Sequence, residues 1–347
     1  MTGRHLSTAL QLFIAAALAL GLAQGLGLAN PYWAAMPVWV VHQVWREDLV
    51  LRAVLRLLGT LAGAVLALGL LALDPPGWGL ALVLSLAVGA AAGGAWWIGT
   101  VMSYGAFMLG VTLFVVLLPA IGGPELGVTD GAHATSAALD RILCTLIGVM
   151  SVTAVTFPFT PPRRKAALPR LRQGRAGSAL RRALFCAGMT LVAAGLVMLW
   201  PRFDVLAGAM TLIVYPMILS SAPDPQPIWR SLVPGVAIGT LAALCFLALG
   251  APLRAEGTVA VFALTLLFLA AGALLRAHPR TAAIGLDANM CFLLAAEVGT
   301  WRHALGDAAV AGGYLLAASA VVVGVAAPAL GLRRAVRPAL PADETRG

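Results

Sequence analysis

The chain has 347 residues, of which 61% are apolar or aromatic and 11% charged, with a mean hydropathy of +0.93. Soluble domains are about half apolar and about a quarter charged, so this balance excludes a water-soluble globule. The formal charge of +9 is spread through the segments between apolar runs, so no nucleic-acid partner is expected.

A spanning helix takes about 20 residues, and twelve would use roughly 240 positions. A transmembrane barrel would show segments of about ten residues with alternating polarity, whereas these runs are long and continuous. The expected fold is therefore an all-α polytopic membrane helix bundle of about twelve transmembrane helices.

The first helix is expected at 7–26, where a basic start and apolar core imitate a secretory signal. A second at 31–45 contains Pro37, and a third at 54–74 ends at Asp74-Pro75-Pro76-Gly77. Residues 78–119 hold two helices divided near Gly93-Gly94-Ala95-Trp96-Trp97. A polar loop at 121–138 precedes a sixth helix at 139–159. Six more follow at 183–200, 204–221, 230–250, 257–275, 280–298 and 308–331. The four cysteines (Cys144, Cys186, Cys245, Cys291) lie within apolar runs without CxxC spacing, which suits buried small hydrophobes.

Basic residues concentrate in loops that stay cytoplasmic. The stretch 161–182 carries eight of them, from Arg163 to Arg182, and reads as a cytoplasmic hinge. It divides a first half at 1–160 from a second at 183–335, followed by a tail at 336–347. With six helices in each half both termini are cytoplasmic, and only Arg141, Arg202, Arg254 and Arg302 of the 23 basic residues fall outside. The halves are then parallel in orientation, as in some transporter folds. GTLA occurs at 59–62 and again at 239–242. Gly59 and Gly63 have the GxxxG spacing, as do Gly235 and Gly239, and this spacing lets helices approach closely.

No HExxH, GxSxG or GxxxxGK motif is present, so no enzyme signature, metal site or cofactor is expected. The most specific internal signal pairs RLLGTLAG (56–63) with RILCTLIG (141–148). Positions i, i+4 and i+7 share a helix face, giving the stripes Arg56–Thr60–Gly63 and Arg141–Thr145–Gly148. Two readings stand: an interfacial anchor with a packing face, or an arginine at the mouth of an anion path.

Pro37 and Pro216 occupy equivalent helices of the two halves. Each removes a backbone donor and frees a carbonyl for a ligand or ion, or simply kinks its helix for packing. Tyr32, Trp33, Tyr104 and Tyr215 near these breaks are candidates to stack on an aromatic substrate, with Gln43 and Asn289 as polar lining. Asp287 lies seven residues after Arg280, about 10 Å deep at 1.5 Å per residue. A charge there costs several kcal/mol unless it faces a partner or water. Asp287 is therefore either a hydrogen-bonded structural acid or a proton-coupling residue.

The run PYWAAMPVWVVHQ…LRAVLRLLGTLAGAVLAL (31–68) resembles the fusaric acid resistance / aromatic acid exporter family. Tyr32, Trp33 and Ala34 match its YWA-type opening, Gln43 the following glutamine, and Arg56, Gly59, Thr60 and Gly63 its helix start. Arg141, Thr145 and Gly148 match its sixth helix. Val44 stands where the family commonly has proline, and no arginine stands just before Gly239 and Thr240 of the second half. The hinge is far shorter than the cytoplasmic domain of long members. The resemblance implies proton-driven efflux of small aromatic carboxylic acids across the bacterial inner membrane. It also implies a periplasmic membrane-fusion adaptor as partner beside the lipid bilayer and the organic anion. A passive organic-anion channel and a non-transporting scaffold are the alternatives, and assembly into a homo-oligomer is left open.

Overall fold

The computed structural model of the protein describes residues 3–126, 131–163 and 176–332. Twelve α-helices make up the described fold: α1 (Gly3–Gly25), α2 (Tyr32–Val41), α3 (Arg46–Ala72), α4 (Gly77–Ile98), α5 (Ser103–Gly122), α6 (Gly131–Thr156), α7 (Ala176–Leu199), α8 (Phe203–Ser221), α9 (Gln226–Leu253), α10 (Thr258–Ala277), α11 (Ala282–Ala295) and α12 (Leu305–Leu330). Ten are long and apolar enough to cross a membrane. The exceptions are α2 and α11, with 10 and 14 residues. At 1.5 Å per residue they rise about 15 and 21 Å, well short of the hydrocarbon thickness of about 30 Å.

The outer helices show how a membrane bundle separates its faces. In α1, Leu6, Leu10, Ile14, Leu18 and Leu22 point outward at four-residue spacing, while Leu12, Ala15, Ala16, Ala19 and Ala23 are buried. Lipid is as apolar as leucine, so the inner face is distinguished by small residues that allow close approach.

Both GxxxG pairs sit at such close approaches. On α3, a Cβ on Gly59 would lie 2.5 Å from the Gly105 carbonyl of α5, and one on Gly63 would lie 2.7 Å from the Leu109 carbonyl. On α9, a Cβ on Gly235 would lie 2.6 Å from the Asp287 Cβ of α11. One on Gly239 would run into the Ala288 carbonyl and lie 2.7 Å from the Cys291 Cβ. Gly239 thus packs on α11 where Gly63 packs on α5. The neighbouring Thr240 turns the other way, onto Gly312 of α12.

Helix partners recur between the first six helices and the last six. α3 packs on α5 as α9 packs on α11, α2 on α6 as α8 on α12, and α1 on α2 as α7 on α8. Across the middle, α4 meets α7 as α10 meets α1, and α2 meets α11 as α8 meets α5. The four central helices are thus α2, α5, α8 and α11. In α2, eight of the ten residues are buried. The pattern departs at one place: α7 and α12 touch only slightly, whereas α1 and α6 pack closely. A cavity of about 530 Å³ opens there, lined by Leu196, Trp200, Arg202, Leu212 and Tyr314 among others.

Two helix starts lie eight residues earlier than the sequence reading places them, at Arg46 instead of 54 and at Gly131 instead of 139. The polar turn Arg46-Glu47-Asp48 reads as loop, yet acids in a first helical turn complement the helix dipole. Here they also clamp the chain that follows α6. Glu47 accepts the Arg163 backbone N–H at 3.0 Å, Asp48 pairs with the Arg163 guanidinium at 2.5 Å, and Arg46 Nε donates to the Thr160 carbonyl at 3.1 Å. The start of α3 therefore sits beside the end of α6, so the two neighbours run antiparallel. The division between α4 and α5 also moves, from Gly93-Gly94 to residues 99–102. Gly89 and Gly93 instead lie against α7, and α4 ends at Gly99 in the left-handed conformation. Cys245 is exposed, unlike the other three cysteines. Residues 164–175 of the hinge and the tail 336–347 lie outside the described residues.

A candidate anion site at the centre of the first half

Arg56 lies ten residues into α3 and Arg141 ten residues into α6, each about 15 Å from its helix start. Because the helices are antiparallel, the two arginines converge at mid-height instead of marking opposite mouths. Each is 3% exposed, which overturns their placement as interfacial anchors. The earlier helix starts are the physical reason, since eight further residues separate each arginine from the start of its helix.

Arg56 Nη1 donates to the Tyr104 hydroxyl at 2.5 Å, and its Nε is buried without a partner. The Arg141 guanidinium lies over the Trp33 ring, 4.0 Å from the centroid, with Nε and Nη1 also unpartnered. The two positive charges are close enough to act on one another. Among the described residues neither arginine is in an ion pair. The buried carboxylates are occupied elsewhere. Asp140 accepts from the Ala29 and Asn30 backbone and from Asn30 Nδ2, Asp204 pairs with Arg202, and Glu297 pairs with His303. A buried charge without a counter-charge costs several kcal/mol, so this pair is held by its fold in a state that an anion would relieve.

One turn beyond each arginine stands a buried threonine with an unpartnered hydroxyl, Thr60 and Thr145. Most other buried threonines in helices bond back to the carbonyl four residues earlier, as Thr112, Thr156, Thr190, Thr211 and Thr265 do, with Thr240 of α9 a further exception. The two stripe threonines do not, which leaves their hydroxyls available on the arginine face.

Two further arginines border the site. Arg52 Nη1 donates to the Val40 carbonyl at 2.9 Å and its guanidinium lies over the Tyr104 ring. Arg276 Nε donates to the Trp39 carbonyl at 3.2 Å. Both satisfy carbonyls at the C-terminus of α2, where cations also meet the negative end of the helix dipole. Both lie just outside the helices expected from sequence, at 54–74 and 257–275. The spacing Arg52–Arg56–Thr60, four residues apart each time, could have revealed the first; Arg276 comes from the other half and carries no sequence signal.

The second half is built differently at its centre. Asp287 on α11 is buried and electrostatically engaged with Arg276, while the Ser231 hydroxyl of α9 donates to the Ile228 carbonyl of its own helix at 3.0 Å. The Tyr215 hydroxyl lies 3.4 Å from Cys291 Sγ and interacts with Asp287.

A model of the fusaric acid resistance protein family matches residues 5–196, over half of the chain. The chain belongs to that family. No curated protein and no solved structure matches it. The fusaric acid resistance match covers the Arg56–Arg141 pair and its surroundings but stops before the helices that carry Gly239 and Asp287.

The predicted site residues divide accordingly. Trp33, Arg56, Thr60, Tyr104, Arg141 and Thr145 belong to the first-half cluster. Tyr104 is the second residue of α5 and reaches Arg56 because the α4–α5 turn is recessed. Tyr32 donates to Asn30 at the N-terminal end of α2, and Gln43 donates to the His42 carbonyl beyond its other end. Tyr215, Asp287 and Asn289 lie in the second half. Asn289 Nδ2 is committed to the Gly272 and Gly285 carbonyls at 3.0 and 2.6 Å, so it bridges α10 and α11 instead of lining the arginine cluster. Neither proline breaks its helix: α8 continues past Pro216, and α2 continues four residues past Pro37. Pro37 packs against Gly148, whose added Cβ would clash with the Ala34 carbonyl of α2.

Proposed function

We propose that this family member is an efflux transporter of the bacterial inner membrane for small organic acids, aromatic carboxylic acids in particular, driven by the proton gradient. The carrying observation is the Arg56–Arg141 pair: two buried guanidinium groups at mid-height, unpaired with any carboxylate among the described residues. A carboxylate ligand supplies what the pair lacks, and the Trp33 and Tyr104 rings beside it give an aromatic acid a surface to stack on. Asp287 in the second half takes the proton-coupling role, since an intramembrane acid facing an arginine and a hydroxyl can exchange a proton without leaving the bundle. The recurring helix partners support reading 1–160 and 183–335 as two copies of one six-helix unit. The distribution of basic residues supports a cytoplasmic position for both termini. Membership of a transporter family fits a protein without enzymatic activity.

The test is transport in proteoliposomes loaded with a hydroxybenzoate. Uphill movement that follows an imposed pH gradient supports coupled export. Movement only down the anion's own gradient, unchanged when the pH gradient is collapsed, makes the protein a passive organic-anion channel. No movement under either condition, with the protein folded, leaves the scaffold reading.

A further inference from the structure

We infer that the Arg56–Arg141 site prefers a doubly charged organic anion, two carboxylates on one small planar skeleton, over a monocarboxylate. This rests on the organic-acid reading above and specifies the charge of its ligand.

The inference follows from charge balance at the site. Arg56 and Arg141 present two positive charges within range of one another, both 3% exposed. Their contacts within the fold are neutral: the Tyr104 hydroxyl for Arg56 and the Trp33 ring for Arg141. Hydrogen bonds and ring faces ease burial but remove no charge. A single carboxylate would compensate one guanidinium and leave its neighbour uncompensated in a low-dielectric interior, where an unpaired charge is costly. A dianion compensates both.

The donors also outnumber what one carboxylate can use. Arg56 Nε, Arg141 Nε and Arg141 Nη1 have no partner, and the Thr60 and Thr145 hydroxyls are free of the usual bond to their own helix. These donors come from two neighbouring antiparallel helices, α3 and α6. Nearby Arg52 and Arg276 are engaged with the Val40 and Trp39 carbonyls and add positive potential without claiming the ligand. The acid that could offset them, Asp287, sits with Ser231 and Arg276, away from the pair.

The test compares ligands that share one ring and differ in charge. Binding of benzoate and of the three phthalate isomers to the full-length protein in detergent is measured by calorimetry at pH 7.5. The best phthalate isomer should bind at least tenfold more tightly than benzoate. Arg56→Gln should bring that ratio close to one, losing more affinity for the dianion than for benzoate, while Arg56→Lys, which keeps the charge, should hold it above threefold. If Arg56→Gln does not fold, Arg141→Gln serves in its place with the same expectation. Benzoate binding as tightly as every phthalate isomer overturns the inference while leaving the organic-acid reading intact. So does a wild-type ratio that survives loss of the arginine. If neither ligand binds the folded protein, the pair is no anion site and both readings fall together.

Discussion

Arg56 donates to the Tyr104 hydroxyl across 2.5 Å, joining the middle of α3 to the start of α5 at the level where Arg141 arrives from α6. The contact fixes one guanidinium without neutralising it. Tyr104→Phe removes Arg56's hydrogen-bond acceptor and leaves the buried charge wholly unpartnered, which should cost about 1–3 kcal/mol. The expected result is a lower unfolding midpoint in detergent, with added organic anion raising it more in the variant than in the wild type. An unchanged midpoint would mean that the hydroxyl holds nothing in place.

Arg56→Gln and Arg141→Gln keep hydrogen-bonding capacity and remove one charge each. Loss of a charged contact to a carboxylate ligand should weaken transport about tenfold or more, equivalent to about 1.4 kcal/mol. Protein levels should hold, because a buried unpaired charge is itself destabilising. The measurement is growth of an expressing strain in aromatic acid beside immunoblotted protein levels. Resistance that falls only in step with protein level would assign the arginines to folding.

The sequence reveals the helices well and their depths poorly, for a physical reason. Apolar runs mark where lipid must be met, so the centres of α4, α7, α8 and α10 are plain to see. Ends are obscured where polar residues continue a helix into protein instead of water. At the start of α3, Glu47 and Asp48 are helical because Arg163 and the helix dipole satisfy them. That shift carries Arg56 from the surface to the interior and leaves Arg52 half-buried above it. The identity of the stripe residues is legible in the matched RLLGTLAG and RILCTLIG segments, since arginine and threonine stand out in an apolar helix. What they face is not legible, because Tyr104 and Arg276 approach from distant parts of the chain.

Gly148 tests the seam that holds Trp33 over Arg141. An added Cβ would collide with the backbone carbonyl of Ala34 and with Pro37 Cγ, and a carbonyl cannot turn aside as a side chain can. Gly148→Ala should therefore push α2 away from α6, at the cost of about 1–3 kcal/mol expected for overpacking. Gly94→Ala, where nothing lies within 4 Å of the added atom, should be neutral. Folded yield after detergent extraction is the comparison, and equal yields would show that α2 moves freely against α6.

Topology can be read from reporters placed in loops at opposite ends of the bundle. The α3–α4 turn at Pro75-Pro76 and the segment at Pro161-Pro162 fall at opposite ends of the bundle, and the positive-inside rule predicts that the basic segment is the cytoplasmic one. A phosphatase fusion after Pro76 should be active and one after Pro162 inactive. Activity at both would break the alternation on which two parallel halves depend.

Asp287 carries the last prediction. It sits where Gly235 and Gly239 allow α11 to approach α9 closely, with its Cβ 2.6 Å from the position a Gly235 side chain would take. Ser231 of α9 lies beside it, Arg276 of α10 attracts it, and the Tyr215 hydroxyl of α8 interacts with it. Arg276 in turn donates to the Trp39 carbonyl, so the charge on Asp287 bears on the residue that caps α2, the helix carrying Trp33. Loss of the proton would strengthen the pull on Arg276, and gain of the proton would release it towards α2. Asp287→Asn keeps size and hydrogen bonding while fixing the neutral state. Uphill transport driven by a pH gradient should stop in that variant, whereas exchange of labelled for unlabelled anion, which needs no net proton movement, should continue. Asp287→Glu restores the charge but must fit a longer side chain beside α9, so partial coupling is expected. Normal uphill export by Asp287→Asn would make Asp287 a structural acid and remove proton coupling from the second half.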